Sequence, residues 1–133
     1  MNTTKSMGMN LLFVGLAAAA FPQETNPVLE DPEELARAIA AKVPALILVD
    51  VRSAAEYEAG HIPTASNTPH TEIADRPPTD DKNALIVLYC RSGSRSSAAK
   101  LSLERLGYTN VVNFGSIMKW RGPLVTGSEP GSP

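Results

Sequence analysis

The stretch that decides the fold runs from Ala84 to Leu106 and reads ALIVLYCRSGSRSSAAKLSLERL. It opens with an apolar run, residues 84–89, which is typical of a strand buried on both faces of a parallel sheet. It closes with a run of helical spacing, residues 96–106, and Gly107 follows as a helix stop. A short polar loop from Cys90 to Ser96 joins the two. The stretch therefore predicts a strand, a loop and a helix in close succession.

The same alternation continues on both sides of this stretch. A helix is predicted from Asp31, which can cap it, because Pro32 suits the first helical position. Further strands are predicted at residues 45–49, 65–67 and 111–112, and a loop at 75–83. Further helices are predicted at 53–59, where Ser53 and Glu56 have the spacing of a capping box, and at 115–121. Apolar strands separated by helices predict an α/β fold with an open parallel sheet and helices on both faces.

Composition and charge limit the classes of protein that need considering. The chain has 133 residues, enough for one domain, and its formal net charge of −2 argues against nucleic acid as a partner. Residues 21–89 hold five basic and twelve acidic residues, whereas residues 90–133 hold six basic and two acidic residues. Cys90 is the only cysteine, so the chain can form no internal disulfide and lacks the ligand pairs of a structural zinc site.

Both ends of the chain differ in composition from its middle. Residues 1–20 combine one lysine, an apolar run and small residues at a cleavage position, which predicts a signal peptide; a frayed helix or a misplaced start is the alternative. We therefore expect a periplasmic or secreted protein with no membrane association after cleavage, or a cytoplasmic one if the segment is no signal. Residues 21–28 are predicted to be a linker, and residues 123–133 a disordered tail.

The loop that begins at Cys90 carries the chemistry. A loop between a buried strand and a helix directs backbone N–H groups at one point, and Gly93 permits the turn. Arg91 and Arg95 add positive charge, which favours the thiolate, and the thiolate is the nucleophile. The alternative is a buried cysteine that merely ends a strand. We predict Cys90 as the catalytic residue, and as substrate-binding residues Arg91, Ser92, Gly93, Ser94, Arg95 and Ser96.

The order of short motifs adds a family resemblance. The motifs are Val49-Asp50-Val51-Arg52, Glu56-Tyr57, Gly60-His61-Ile62-Pro63, Tyr89 through Ser96, Leu106 through Val111, and Gly115 through Trp120. In this order they resemble a single-domain rhodanese, a sulfurtransferase homology domain, over about residues 29–122. With a signal peptide, the chain is similar to the small periplasmic rhodaneses of the phage-shock type.

The resemblance implies a rhodanese-like parallel sheet and a two-step sulfur transfer. The Cys90 thiolate would take a sulfane sulfur from a small anionic donor such as thiosulfate and pass it from a persulfide to a thiol or cyanide. Arg91 and Arg95 would hold the donor's oxygens, although Arg95 could instead brace the loop. No metal or organic cofactor is implied, and the physiological donor, acceptor, pathway and oligomeric state are left open.

Two other functions compete with sulfur transfer. Phosphatases and arsenate reductases of this fold tend to have a loop one residue longer than the six positions from Cys90 to Arg95. A non-catalytic binding module is the other alternative, and the intact Cys90 disfavours it.

Several residues outside the loop have structural interpretations. Asp50 and Arg52 are expected to form an ion pair or to hold nearby loops, and a direct catalytic role is the alternative. His61 is expected to pack and hydrogen-bond in a turn, and a role as a base is the alternative. The family usually has glycine where Thr64 stands, and a second glycine where Ser116 stands. Both departures predict altered local turns rather than altered chemistry.

Overall fold

The computed structural model describes residues 28–133. The predicted signal peptide, and the linker up to residue 27, lie outside the described residues. Within them the order of elements is α1 (Pro32–Ala40), β1 (Leu46–Asp50), α2 (Ala54–Ala59), β2 (Ser66–Asn67), β3 (Leu85–Cys90), α3 (Ser94–Arg105), β4 (Val111–Ser116) and a short 3-10 helix (Ile117–Lys119). No helix in this part of the chain has the length and apolarity needed to cross a membrane.

The four strands form one parallel sheet in the order β2-β1-β3-β4. Asp50, the last residue of β1, pairs with Tyr89 of β3, so the two strands end side by side. The predicted α/β architecture is confirmed. The carboxyl ends of the central strands lie at one edge, where parallel sheets build their sites.

Each face of the sheet packs against its own helices. One face buries Tyr89 and Phe114 against residues of α1 and α2, among them Leu35. The opposite face buries Cys90 against residues of α3, among them Ala99. Successive residues of β3 alternate between the two clusters, as the two-residue period of a strand requires.

Two of the predicted helix starts, at Asp31 and Ser53, are confirmed at atomic detail. The Asp31 carboxylate accepts hydrogen bonds from the amides of Glu33 and Glu34. At α2, Ser53 and Glu56 form a complete capping box, in which each side chain accepts from the other residue's amide.

Several element boundaries differ from the sequence prediction, and three of these differences lie at or beside the cysteine loop. Cys90 is the last residue of β3 rather than the first residue after it. Helix α3 begins at Ser94, because the left-handed backbone of Gly93 turns the chain there. The predicted helix at 115–121 is reduced to its 3-10 turn, because pairing with β3 continues through Ser116.

The prediction of a disordered tail does not match the structure. Val125 and His61 exchange both backbone hydrogen bonds, each of 2.9 Å, in an antiparallel bridge. Farther on, the amide of Thr64 donates to the Pro130 carbonyl at 3.0 Å. The glycine, serine and proline content of residues 126–133 suggested disorder, but their backbone groups find partners on the domain. We call residues 123–131 the strap.

Candidate active site

The loop after β3 curls around the sulfur of Cys90. Gly93 adopts φ 102°, a left-handed conformation that side-chain-bearing residues rarely take. This turn brings the Gly93 amide to 3.0 Å from the Cys90 Sγ, and the Ser96 amide to 3.4 Å. The predicted convergence of amides on the cysteine is therefore present.

The hydroxyl of Ser96 is the third polar group near the sulfur. Its Oγ lies 3.5 Å from the Cys90 Sγ and 3.1 Å from the Gly93 carbonyl, and its single hydrogen can go to one or the other. Both Ser96 and Cys90 are fully buried. A reactant must therefore displace part of the loop or a neighbouring side chain before it reaches the sulfur.

Opposing effects act on the acidity of Cys90. Burial raises the pKa of the thiol, whereas hydrogen bonds from the Ser96 hydroxyl and from the amides of Ser96, Gly93 and Ser92 lower it. The hydrogen bonds prevail, so the pKa of Cys90 lies below its ordinary value. The loop thus favours the thiolate, the nucleophilic form of cysteine.

Arg95 braces the loop against α2. Its two terminal nitrogens donate to the two carboxylate oxygens of Glu56 at 2.8 and 3.0 Å. These bonds, followed by that from the Ser53 amide, lower the pKa of Glu56 to about 2. The sequence left two roles open for Arg95, binding of the donor's oxygens and support of the loop. In this structure both of its terminal nitrogens bind Glu56, so Arg95 supports the loop.

Arg91 occupies a different position from Arg95. It is exposed, and within residues 28–133 it takes part in no ion pair. It lines an open cleft of about 450 Å³, together with the charged residues Arg52 and Glu56. The apolar wall of the cleft consists of Ile117, Met118, Trp120 and Leu124. The cleft therefore combines one uncompensated positive charge with an apolar wall.

Of the remaining loop residues, Ser92 contributes its amide to the Cys90 sulfur. Ser92 and Ser94 are exposed, and Ser94 begins α3. Ser116, which replaces a glycine usual in the family, donates its hydroxyl to the Arg91 carbonyl. The serine thus gives the loop a hydrogen bond that a glycine could not make.

Asp50 and Arg52 form the predicted ion pair beneath the cleft. The Arg52 side chain donates to the Asp50 carboxylate at 2.7 and 3.0 Å and to the Gly60 carbonyl at 2.7 Å. Both residues are buried. The pair fixes the start of α2 relative to Gly60.

Sequence reasoning assigned Glu56 to a helix cap and missed its bond to Arg95. The signal that could have predicted this bond is the pair of opposite charges that follow neighbouring strands, Glu56 after β1 and Arg95 after β3. Leu124 was missed because it lies in the segment predicted to be disordered. Nothing in the local pattern of that segment indicates where it packs.

Comparison with known proteins assigns the family. The model of the rhodanese-like domain matches residues 31–122. The chain belongs to the rhodanese-like domain family. The match contains the cysteine loop, α2 and all four strands, and it ends before the strap.

Relatives in this family include named sulfurtransferases. The thiosulfate sulfurtransferase PspE of Escherichia coli is 37% identical over 81 residues, which cover 59% of this chain and 78% of that protein. A sulfurtransferase of Allochromatium vinosum is 38% identical over 91 residues, covering 68% of this chain and 84% of that protein. These similarities support a rhodanese-type sulfurtransferase.

A solved structure shares the fold. A rhodanese with anions from E. coli superimposes with a TM-score of 0.58 and 34% identity, covering 62% of this chain and 99% of that one. The rhodanese-like fold expected from the motif order is thereby confirmed.

Proposed function

We propose that this protein transfers a sulfane sulfur from thiosulfate, or a similar small anion, to a thiol or cyanide through a persulfide on Cys90. The observation that carries the proposal is the set of amide hydrogen bonds to the Cys90 sulfur, from Gly93 at 3.0 Å and Ser96 at 3.4 Å. Such donors stabilise an anionic sulfur, whether thiolate or persulfide. The names of the relatives point to the same reaction.

In the first step the Cys90 thiolate attacks the outer sulfur of thiosulfate. A new S–S bond forms to Cys90, the S–S bond of thiosulfate breaks, and sulfite leaves with the electron pair. We assign the attraction of the sulfonate oxygens to Arg91, because it is exposed at the cleft and has no ion-pair partner within residues 28–133.

In the second step a cyanide ion or a thiolate attacks the outer sulfur of the persulfide. The bond to Cys90 breaks, the electron pair returns to Cys90, and thiocyanate or a new persulfide leaves. Neither step needs a proton, a redox partner or a group that the chain does not hold, since the thiolate enters and returns unchanged.

The test is release of thiocyanate from thiosulfate and cyanide by the wild type and by Cys90→Ser. We expect turnover by the wild type and none above background by the variant, with the same far-UV circular dichroism spectrum for both. A Cys90→Ser protein that retained turnover would refute the mechanism. Hydrolysis of p-nitrophenyl phosphate by the wild type, without thiocyanate release, would favour the phosphatase alternative.

A further inference from the structure

The strap reaches the cleft beside Cys90 through one side chain, that of Leu124. Leu124 lines the cleft together with Trp120, and a Cβ placed on Gly60 would lie 3.4 Å from the Leu124 Cδ1. Gly60 is the residue whose carbonyl the Arg52 side chain holds. The strap thus contributes a side chain to the cleft, and that side chain lies next to Gly60, which also lines the cleft.

Several hydrogen bonds fix the strap in this position. The bridge between Val125 and His61 follows Leu124 directly, and the Gly127 amide donates to the Glu58 carbonyl at 2.9 Å. The buried His61 ring lies between strap and domain. Its Nε2 is 3.0 Å from the Glu129 carbonyl, and its Nδ1 is 2.8 Å from the carbonyl of Tyr57.

Trp120 is the rigid part of the same wall. Its indole Nε1 donates to the Pro123 carbonyl at 3.0 Å, and a Cβ on Gly122 would lie only 2.8 Å from its ring. The ring therefore packs directly against the backbone of Gly122, where a residue with a side chain would clash with it. The chain passes from this turn straight into Leu124, so the two apolar side chains are held as one surface.

We propose that the strap, through Leu124, completes the apolar wall of the cleft and selects acceptor thiols that carry an apolar chain ending in an anionic group. We expect the anionic end to bind Arg91, because Arg91 is the charged residue of the cleft that has no ion pair within residues 28–133. The match to the family ends at residue 122, so Leu124 lies outside the part of the chain shared with the family, whereas Ile117, Met118 and Trp120 lie inside it. The proposal rests on the proposed function and names the class of acceptor that function uses.

The acceptor step places the apolar chain beside the strap. The acceptor's thiolate sulfur bonds to the outer sulfur of the Cys90 persulfide, and the bond between that sulfur and Cys90 breaks. The electron pair returns to Cys90, and the acceptor leaves as a persulfide. A chain that rests on Leu124 and Trp120 gains apolar contact during this step, whereas a shorter chain with the same carboxylate gains less.

The experiment compares two acceptors that differ only in chain length, 3-mercaptopropionate and 6-mercaptohexanoate, with thiosulfate as donor and cyanide as the reference acceptor. In Leu124→Ala we expect the ratio of kcat/KM for the longer thiol to that for the shorter one to fall about three- to tenfold. Leu124→Met, which preserves apolar volume, should keep most of the wild-type ratio. Leu101→Ala is the matched control, since Leu101 is 47% exposed and Leu124 is 50% exposed, and it should leave the ratio unchanged.

Two results would overturn the role of the strap. One is an unchanged ratio in Leu124→Ala, and the other is an equal loss with all three acceptors, which would make Leu124 a support of the loop. A wild type that released no thiocyanate would instead overturn the proposed function, and this inference with it. Failure of the strap's role and failure of the proposed function can be told apart, because both results against the strap require turnover by the wild type.

Discussion

The Arg95 guanidinium and the Glu56 carboxylate are joined by two hydrogen bonds, of 2.8 and 3.0 Å, across the edge of the sheet. Arg95 lies in the first turn of the helix that follows the cysteine loop, and Glu56 lies in the helix that follows the neighbouring strand. Each side chain is 30% exposed. These two hydrogen bonds connect the end of the loop to α2. The Ser53 capping box and the Asp50–Arg52 ion pair in turn fix the start of α2.

Glu56→Gln should therefore impair sulfur transfer, although the Glu56 side chain makes no hydrogen bond to the Cys90 sulfur. An amide keeps one acceptor but turns donors towards the guanidinium, so one of the two bonds is lost. We expect kcat/KM for thiosulfate to fall about tenfold, the equivalent of about 1.4 kcal/mol. Glu58→Gln, an exposed position on the same helix, is the control and should match the wild type.

A double variant tests whether the two side chains act as one unit. Arg95→Ala alone should lower kcat/KM by about 10–100-fold, and adding Glu56→Gln should lower it little further. Independent losses that multiply in the double variant would show that Arg95 contacts the donor rather than bracing the loop.

The same pair should make stability depend on pH. Because the pKa of Glu56 falls from 4.5 to about 2 on folding, the carboxylate stabilises the folded state fully above pH 4.5 and loses that effect as the pH falls towards 2. At about pH 6 we expect Glu56→Gln to lower the free energy of unfolding by about 1 kcal/mol, and at about pH 3 by clearly less. Chemical denaturation at both pH values measures the two differences, and a constant difference would contradict the assignment.

The acidity of Cys90 should respond to Ser96. The rate of alkylation by iodoacetamide is expected to rise with pH through an inflection below the ordinary thiol pKa, because only the thiolate reacts. Ser96→Ala removes the hydroxyl and should move the inflection to higher pH. Ser97→Ala, at the exposed next position, should leave it in place. Identical profiles for wild type and Ser96→Ala would show that the hydroxyl does not act on the sulfur.

Thr64 is a site where the chain departs from its family at a cost in stability. Its φ of 76° lies in the left-handed region, which a β-branched residue resists and which suits the glycine usual there. We expect Thr64→Gly to raise the free energy of unfolding by about 1 kcal/mol, the strain relieved less the added freedom of the unfolded chain. Thr71→Gly, at an exposed position without positive φ, should lower it. A loss of stability in Thr64→Gly would contradict this account.

Local patterns were sufficient to predict the sheet and the cysteine loop. The apolar runs of β1 and β3 and the glycine at position 93 impose their conformation through neighbours in the sequence. What could not be predicted depends on partners distant in the chain. Arg95 bonds to Glu56, 39 positions away, and the His61 ring meets the Glu129 carbonyl, 68 positions away. The glycine-rich strap is ordered by such contacts, and no local signal records them.

The most direct measurement of the central claim is the intact mass of the protein after incubation with thiosulfate and removal of excess donor. The wild type should gain the mass of one sulfur atom, on the peptide that contains Cys90, and lose it when a thiol or cyanide is added. Cys90→Ser should gain nothing. A wild-type mass that does not change, or a sulfur found on any other residue, would contradict the persulfide mechanism.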